Sequence, residues 1–214
     1  MAVAVKICGL STRESVEVAV QGGAQFVGFV FFPPSPRAIQ PNTAQDLAKQ
    51  VPASVRKVAV VVDPTDDSLE AIVGALEADM VQLHGEETPA RVAEIRDRSG
   101  CQVIKAIAVA DARDVANARQ YDEVADMLLF DAKAKPEDVV PGGNARAFDW
   151  SLLSDVSSTR PWFLSGGLNA ESLSEAIAVS GAQFVDVSSG VESARGVKDH
   201  EKIQTFLATA AGLN

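Results

Sequence analysis

Two cysteines, two histidines and one tyrosine in 214 residues leave little material for several kinds of site. Cys8 and Cys101 are too few for a disulfide framework, as expected of a chain working in the reducing cytoplasm. Together with His84 and His200 they show no metal-ligand spacing, so no metal centre is expected. Positive charge is also scarce: 19 Lys and Arg stand against 29 Asp and Glu, a formal net charge of -10. That balance argues against nucleic acid and anionic membrane as partners, because both call for a basic face. An anionic small molecule needs only a few local donors and stays possible. No apolar run approaches the roughly 20 residues of a membrane span. The first ten residues carry Lys6 inside their apolar run and no cleavage-like region follows, unlike a signal peptide. No Pro/Gly/Ser-rich stretch or charge block divides the chain, so residues 1–214 are expected to form one domain.

What is present is a rhythm. Val3 to Leu10 opens with β-branched residues and reads as a buried strand, and Ser15 to Gln21 as a helix ended by Gly22-Gly23. Strands then follow at Phe26 to Phe31, Lys57 to Val62, Met80 to Leu83, Val103 to Ile107, Met127 to Phe130, Trp162 to Leu164 and Phe184 to Val187. Helical patterns separate them, at Asn42 to Gln50, Ser68 to Leu76, Thr88 to Arg98, Ala112 to Gln120 and Ala170 to Val179, and Asp199 to Ala211 closes the chain. Asp131 to Arg146 reads as a long loop, closed by Phe148-Asp149-Trp150 and a short helix. Continuously apolar strands in strict alternation with helices mean a parallel sheet covered on both faces. Eight such units in a chain this compact predict an α/β fold, a closed (β/α)8 TIM barrel. An internal echo supports the reading: Gly23-Ala24-Gln25-Phe26-Val27 returns as Gly181-Ala182-Gln183-Phe184-Val185, each time between a helix end and a strand.

Barrels of this kind bind ligands at the carboxyl ends of their strands, so the residues just after each apolar run carry the information. They are Cys8, Arg37, Asp63, His84, a polar residue after Ile107, Asp131, Ser165-Gly166-Gly167 and Ser188-Ser189-Gly190. Two adjacent loops of small residues suit a phosphate, held by backbone N–H groups. A partly desolvated Asp131 could give up a proton near neutrality, and Cys8 could act as a base across the cavity if a cation or dipole favoured its thiolate. Strand alternation puts Lys6 and Cys8 on the same inward side. Arg37 offers a rigid fork for a carboxylate. His84, Asp186 and Asp63 also end strands, where they would line the site or orient its loops.

These residues carry a resemblance to the phosphoribosylanthranilate isomerase family of tryptophan biosynthesis. It runs through Lys6-Ile7-Cys8-Gly9, Ser35-Pro36-Arg37, Val81-Gln82-Leu83-His84-Gly85, Phe130-Asp131, Gly142-Gly143, Leu164-Ser165-Gly166-Gly167-Leu168 and Val185-Asp186-Val187-Ser188-Ser189-Gly190-Val191-Glu192. The resemblance implies a cofactor-free Amadori rearrangement with Asp131 as general acid and Cys8 as base. It implies Arg37 for the anthranilate carboxylate and the loops at Ser165-Gly166-Gly167 and Ser188-Ser189-Gly190 for the phosphate. His84, Gly142, Gly143 and Asp186 complete the expected substrate site. The implied partner is a small molecule bearing phosphate and carboxylate groups, and the implied assembly is a monomer or homodimer. Two positions depart from the family pattern. Asn144-Ala145 follows Gly142-Gly143 where a Thr/Ser-Gly pair is usual, and Arg195 precedes Gly196 where proline is common. Two other readings remain open at this level: a different sugar-phosphate isomerase or lyase with a Schiff-base amine at Lys6 or Lys105, and a binding protein without turnover.

Overall fold

The computed structural model describes residues 3–213. Eight parallel strands hydrogen-bond in chain order: β1 (Ala4–Cys8), β2 (Phe26–Val30), β3 (Arg56–Val61), β4 (Met80–Leu83), β5 (Gln102–Val109), β6 (Met127–Ala132), β7 (Trp162–Leu164) and β8 (Phe184–Val187). β1 pairs with β8 through Lys6 opposite Asp186, which closes the (β/α)8 TIM barrel. Around it lie α1 (Arg13–Gln21), α2 (Pro41–Ala48), α3 (Asp66–Leu76), α4 (Pro89–Ser99), α5 (Ala112–Asn117), α6 (Leu173–Ser180) and α7 (His200–Ala211). Local chemistry starts these helices. Thr12, Thr65, Thr88, Asp111 and Asp199 each accept a first-turn N–H at the N-cap, and Ser15 answers Thr12 to complete a capping box.

Strand parity sorts the core into two layers. Val30, Val58, Val60, Met80, Ile104, Ala106, Met127, Leu129 and Phe163 point inward and fill the barrel with Cys8 above them. Their chain neighbours Val5, Ile7, Phe29, Val81, Leu83, Leu128 and Phe130 point outward to the helices. Phe26 and Phe184, at the starts of β2 and β8, meet Phe163 edge-on at 5.1 and 5.4 Å between ring centroids, so aromatic rings plug the lower barrel. Replacing Phe163 by alanine there would cost about 3–5 kcal/mol. The repeated pentapeptide belongs to this plug: Gly23 and Gly181 both turn the chain at positive φ, and the following phenylalanines enter the two strands that flank β1.

Several boundaries differ from the sequence reading, each for a local reason. β5 continues to Val109, and the first polar residue after it, Asp111, caps α5 by accepting from Arg113 N at 2.8 Å instead of facing the mouth. α5 tightens after Asn117 into a 3-10 turn. α6 starts at Leu173 because the Asn169 side chain binds the N–H groups of Glu171 and Ser172 and holds that stretch as a turn. Among the described residues no α-helix separates β6 from β7, only a 3-10 turn at Trp150–Leu153. After β8 the chain forms a small hairpin, β9 (Glu192–Ala194) and β10 (Val197–Lys198), which no apolar alternation announces.

Candidate active site

Inward parity carries on past the core to the strand tops. On β1 it gives Lys6 and Cys8, at the top of β4 Gln82 and His84, on β6 Asp131, just after β7 Ser165, and on β8 and just after it Asp186 and Ser188. All but Lys6 line one cavity, together with Arg37 from the loop after β2 and Gly142 and Gly143 from the loop after β6. The site is thus the top layer of the barrel interior, written in polar residues.

Cys8 is buried and lies opposite Gly28 in the β1–β2 register. A Cβ on Gly28 would stand 3.1 Å from the Cys8 sulfur and 3.2 Å from Lys6 Nζ, so thiol and ammonium share the space that glycine leaves. Lys6 Nζ pairs with Asp186 Oδ1 at 2.8 Å, and Ser165 Oγ donates to the other carboxylate oxygen at 3.2 Å. Burial pushes the Cys8 thiol above its ordinary pKa, Lys6 pulls it back, Asp186 adds to the rise and Lys198 opposes it. Burial also acts against the Lys6 ammonium, yet Asp186 and then Cys8 outweigh it and hold its pKa up.

Asp131 sits across the barrel on β6. Its Oδ1 accepts from Ala132 N at 2.8 Å, and its Oδ2 lies 3.4 Å from His84 Nε2. Gln82 Nε2 meets His84 Nδ1 at 2.9 Å; with the amide donating, the neutral ring carries its proton on Nε2, toward the acid. The Gln82 Oε1 is buried without a hydrogen-bond partner. Backbone of the loop after β6 lies directly above: a Cβ on Gly142 would come within 2.6 Å of Asp131 Oδ2 and 2.7 Å of His84 Nε2.

Hydrogen-bond donors stand on the remaining side. Arg37 is buried, with Nε and Nη2 held by the two oxygens of Glu192 at 2.6 and 2.9 Å and Nη2 also donating to Gly143 O at 3.2 Å. The N–H groups of Gly166 and Gly167 make no hydrogen bond within the described residues, which leaves them for a ligand. Gly190 is not on the cavity wall. A Cβ there would fall 1.8 Å from Leu168 O, so this glycine lets the two small-residue loops lie against each other.

The structure therefore brings Cys8, Arg37, His84, Gly142, Gly143, Asp131, Ser165, Gly166, Gly167, Asp186, Ser188 and Ser189 to one place. Asp63 stays outside it: its Oδ1 accepts from Glu86 N, and its own N–H donates to Glu87, tying two loops together. Lys105 points outward from β5 and is paired with Glu87 at 2.8 Å. With Lys6 paired to Asp186, both amines considered for a Schiff base are engaged. Gln82 was missed by sequence reasoning, although a lone buried amide in an otherwise apolar strand is a signal. Glu192 and Lys198 were missed as well.

A family model described as N-(5'phosphoribosyl)anthranilate (PRA) isomerase matches residues 5–209. The chain belongs to that family. It is 53% identical over 210 residues to the N-(5'-phosphoribosyl)anthranilate isomerase of Paracoccus denitrificans, covering 98% of each chain. Among solved structures it is similar to a phosphoribosyl anthranilate isomerase in complex with reduced 1-(o-carboxyphenylamino)-1-deoxyribulose 5-phosphate, with 38% identity and a TM-score of 0.86 over 99% of this chain and 100% of that one. It is equally similar to monomers made from the dimeric phosphoribosylanthranilate isomerase of Thermotoga maritima, with 38% identity and a TM-score of 0.85 over 99% and 100% of the two chains. The chain is thus an isomerase of tryptophan biosynthesis. Among the described residues no cluster of three or more His, Cys, Asp or Glu is placed to hold a metal, and no helix is long and apolar enough to cross a membrane.

Proposed function

We propose that Asp131 and Cys8 divide the proton transfers of the Amadori rearrangement of N-(5'-phosphoribosyl)anthranilate between them. The observation that carries this is their shared cavity, with a thiol from β1 and an acid from β6 between the arginine and the small-residue loops. Asp131 gives its proton to the furanose ring oxygen as the bond from C1 to that oxygen breaks, and the nitrogen lone pair closes a C=N bond. Cys8 as thiolate takes the C2 proton; the C–H electron pair forms the C1=C2 bond and the C=N pair returns to nitrogen. The enolamine becomes the ketone, 1-(2-carboxyphenylamino)-1-deoxyribulose 5-phosphate, when C1 gains a proton and the C2 hydroxyl loses one. Delivery of the Cys8 proton to C1 and return of the hydroxyl proton to Asp131 resets both residues. Each positioned transfer is worth on the order of 10²- to 10⁴-fold.

Arg37 receives the anthranilate carboxylate, and the N–H groups of the loops after β7 and β8 receive the phosphate. His84 and Asp186 hold the acid and Lys6 in place, and Gly142 and Gly143 cover the sugar. No cofactor takes part, residues 1–214 act as one barrel domain in the cytoplasm, and the working unit is a monomer or homodimer. Mixing purified protein with phosphoribosylanthranilate in the presence of a chelator tests the reading. Substrate fluorescence is expected to disappear as ketose forms; binding without loss of fluorescence would refute it.

A further inference from the structure

Glu192 is a buried carboxylate that the mechanism above does not use. It accepts from Arg37 Nε and Nη2, from Lys198 Nζ at 2.9 Å and from Gly196 N at 3.0 Å. Lys198 in turn donates to Ser188 O at 2.8 Å, at the loop assigned to the phosphate. These contacts, with the Arg37 and Lys198 side chains buried against one carboxylate, make a unit of net charge +1 that reaches the cavity through Arg37. Its pKa, lowered to about 2 despite burial, keeps Glu192 ionised throughout the physiological range. A second contact fixes the same geometry without charge. Gly196 turns the β9–β10 hairpin at φ +84, where a Cβ would stand 2.8 Å from Pro36 O, so the hairpin is pressed against the residue before Arg37.

We propose that Glu192 is a positioning residue for carboxylate recognition: it fixes Arg37 relative to the phosphate loop and so matches the site to a ligand with a carboxylate and a phosphate at a set separation. The proposal rests on the reading of Arg37 as the carboxylate's partner. One segment, residues 188–198, carries both the phosphate-loop serines and the anchor of the arginine. Glu192 takes Nε and one Nη2 hydrogen and Gly143 O takes the other, which leaves the two Nη1 hydrogens as the donors for an incoming carboxylate. Charge fits as well, since a unit of +1 takes one carboxylate without a surplus in a buried wall.

The test uses two stable ligands in calorimetric titration: reduced 1-(2-carboxyphenylamino)-1-deoxyribulose 5-phosphate and its counterpart with phenyl in place of carboxyphenyl. In Glu192→Gln the preference for the carboxylated ligand is expected to shrink by at least about tenfold, with affinity for the phenyl ligand kept within about threefold. Equal weakening of both ligands would make Glu192 merely structural and overturn the proposal. Arg37→Ala separates the two layers of inference. If it leaves the preference intact, the carboxylate role of Arg37 fails; if it abolishes the preference while Glu192→Gln does not, only the Glu192 assignment fails. Should Glu192→Gln fail to fold, Glu192→Gln combined with Lys198→Met removes the pair as a neutral unit and is read by the same criterion.

Discussion

Two buried lysine–carboxylate pairs start from lysines on barrel strands, and they have the same chemistry: Lys6 with Asp186 and Lys105 with Glu87, each at 2.8 Å. Parity separates them. Lys6 points into the barrel beside Cys8, whereas Lys105 points out beneath the helices, where it also donates to Gly85 O at 2.8 Å and faces the Tyr121 ring. The inward pair adjoins Cys8, the proposed base; the outward pair braces the loop that begins at His84. One residue of register decides whether a buried charge belongs to the chemistry or to the scaffold.

The comparison is sharpened most by the inward acid. Asp131→Asn is expected to lower kcat by on the order of 10²- to 10⁴-fold while the reduced product analogue still binds within about threefold. Steady-state kinetics and calorimetry would show it, and loss of binding in step with kcat would move Asp131 out of the proton-transfer role.

Next come the two lysines. Lys105→Met and Lys6→Met each strand a buried carboxylate, a loss of about 3–5 kcal/mol visible in denaturant melts. Of the two, only Lys6→Met is expected to slow alkylation of Cys8 by iodoacetamide below pH 8, by roughly tenfold, because Lys6 favours the thiolate and Lys105 does not act on it. Equal slowing in Lys105→Met would break the comparison.

The pH dependence follows from the inward layer too. Burial raises the Cys8 thiol, so the thiolate fraction grows with pH until that raised pKa is passed, and kcat/KM is expected to climb from neutral pH toward it. A rate that falls steadily over the same range would contradict the thiolate base. The smallest effect lies on the loop over the site. Ala145 is held at φ 54, in the left-handed region, and Ala145→Gly is expected to stabilise the protein by about 1 kcal/mol, seen as a higher melting temperature.

Most of the barrel was legible because apolar strands and their stops are local signals. Met80 to Leu83 and Phe184 to Val187 match their strands end for end. Strand tops were legible for the same reason, which is why Cys8, His84, Asp131, Ser165 and Asp186 could be named. What escaped was set by distant pairing: Arg37 meets Glu192 across 155 positions, and the hairpin bearing Glu192 is held by charges and a glycine contact, with no apolar pattern to read. β5 ran on past Ile107 because Ala108 and Val109 still pair with Asp131 and Ala132 on β6, which no local motif reports.

A single-turnover experiment on Cys8→Ala, with the reduced product analogue titrated alongside, addresses the opposed thiol and acid most directly. The expected result is an isomerisation rate at least about a hundredfold below wild type with binding nearly unchanged. Isomerisation close to the wild-type rate would contradict the assignment of the base.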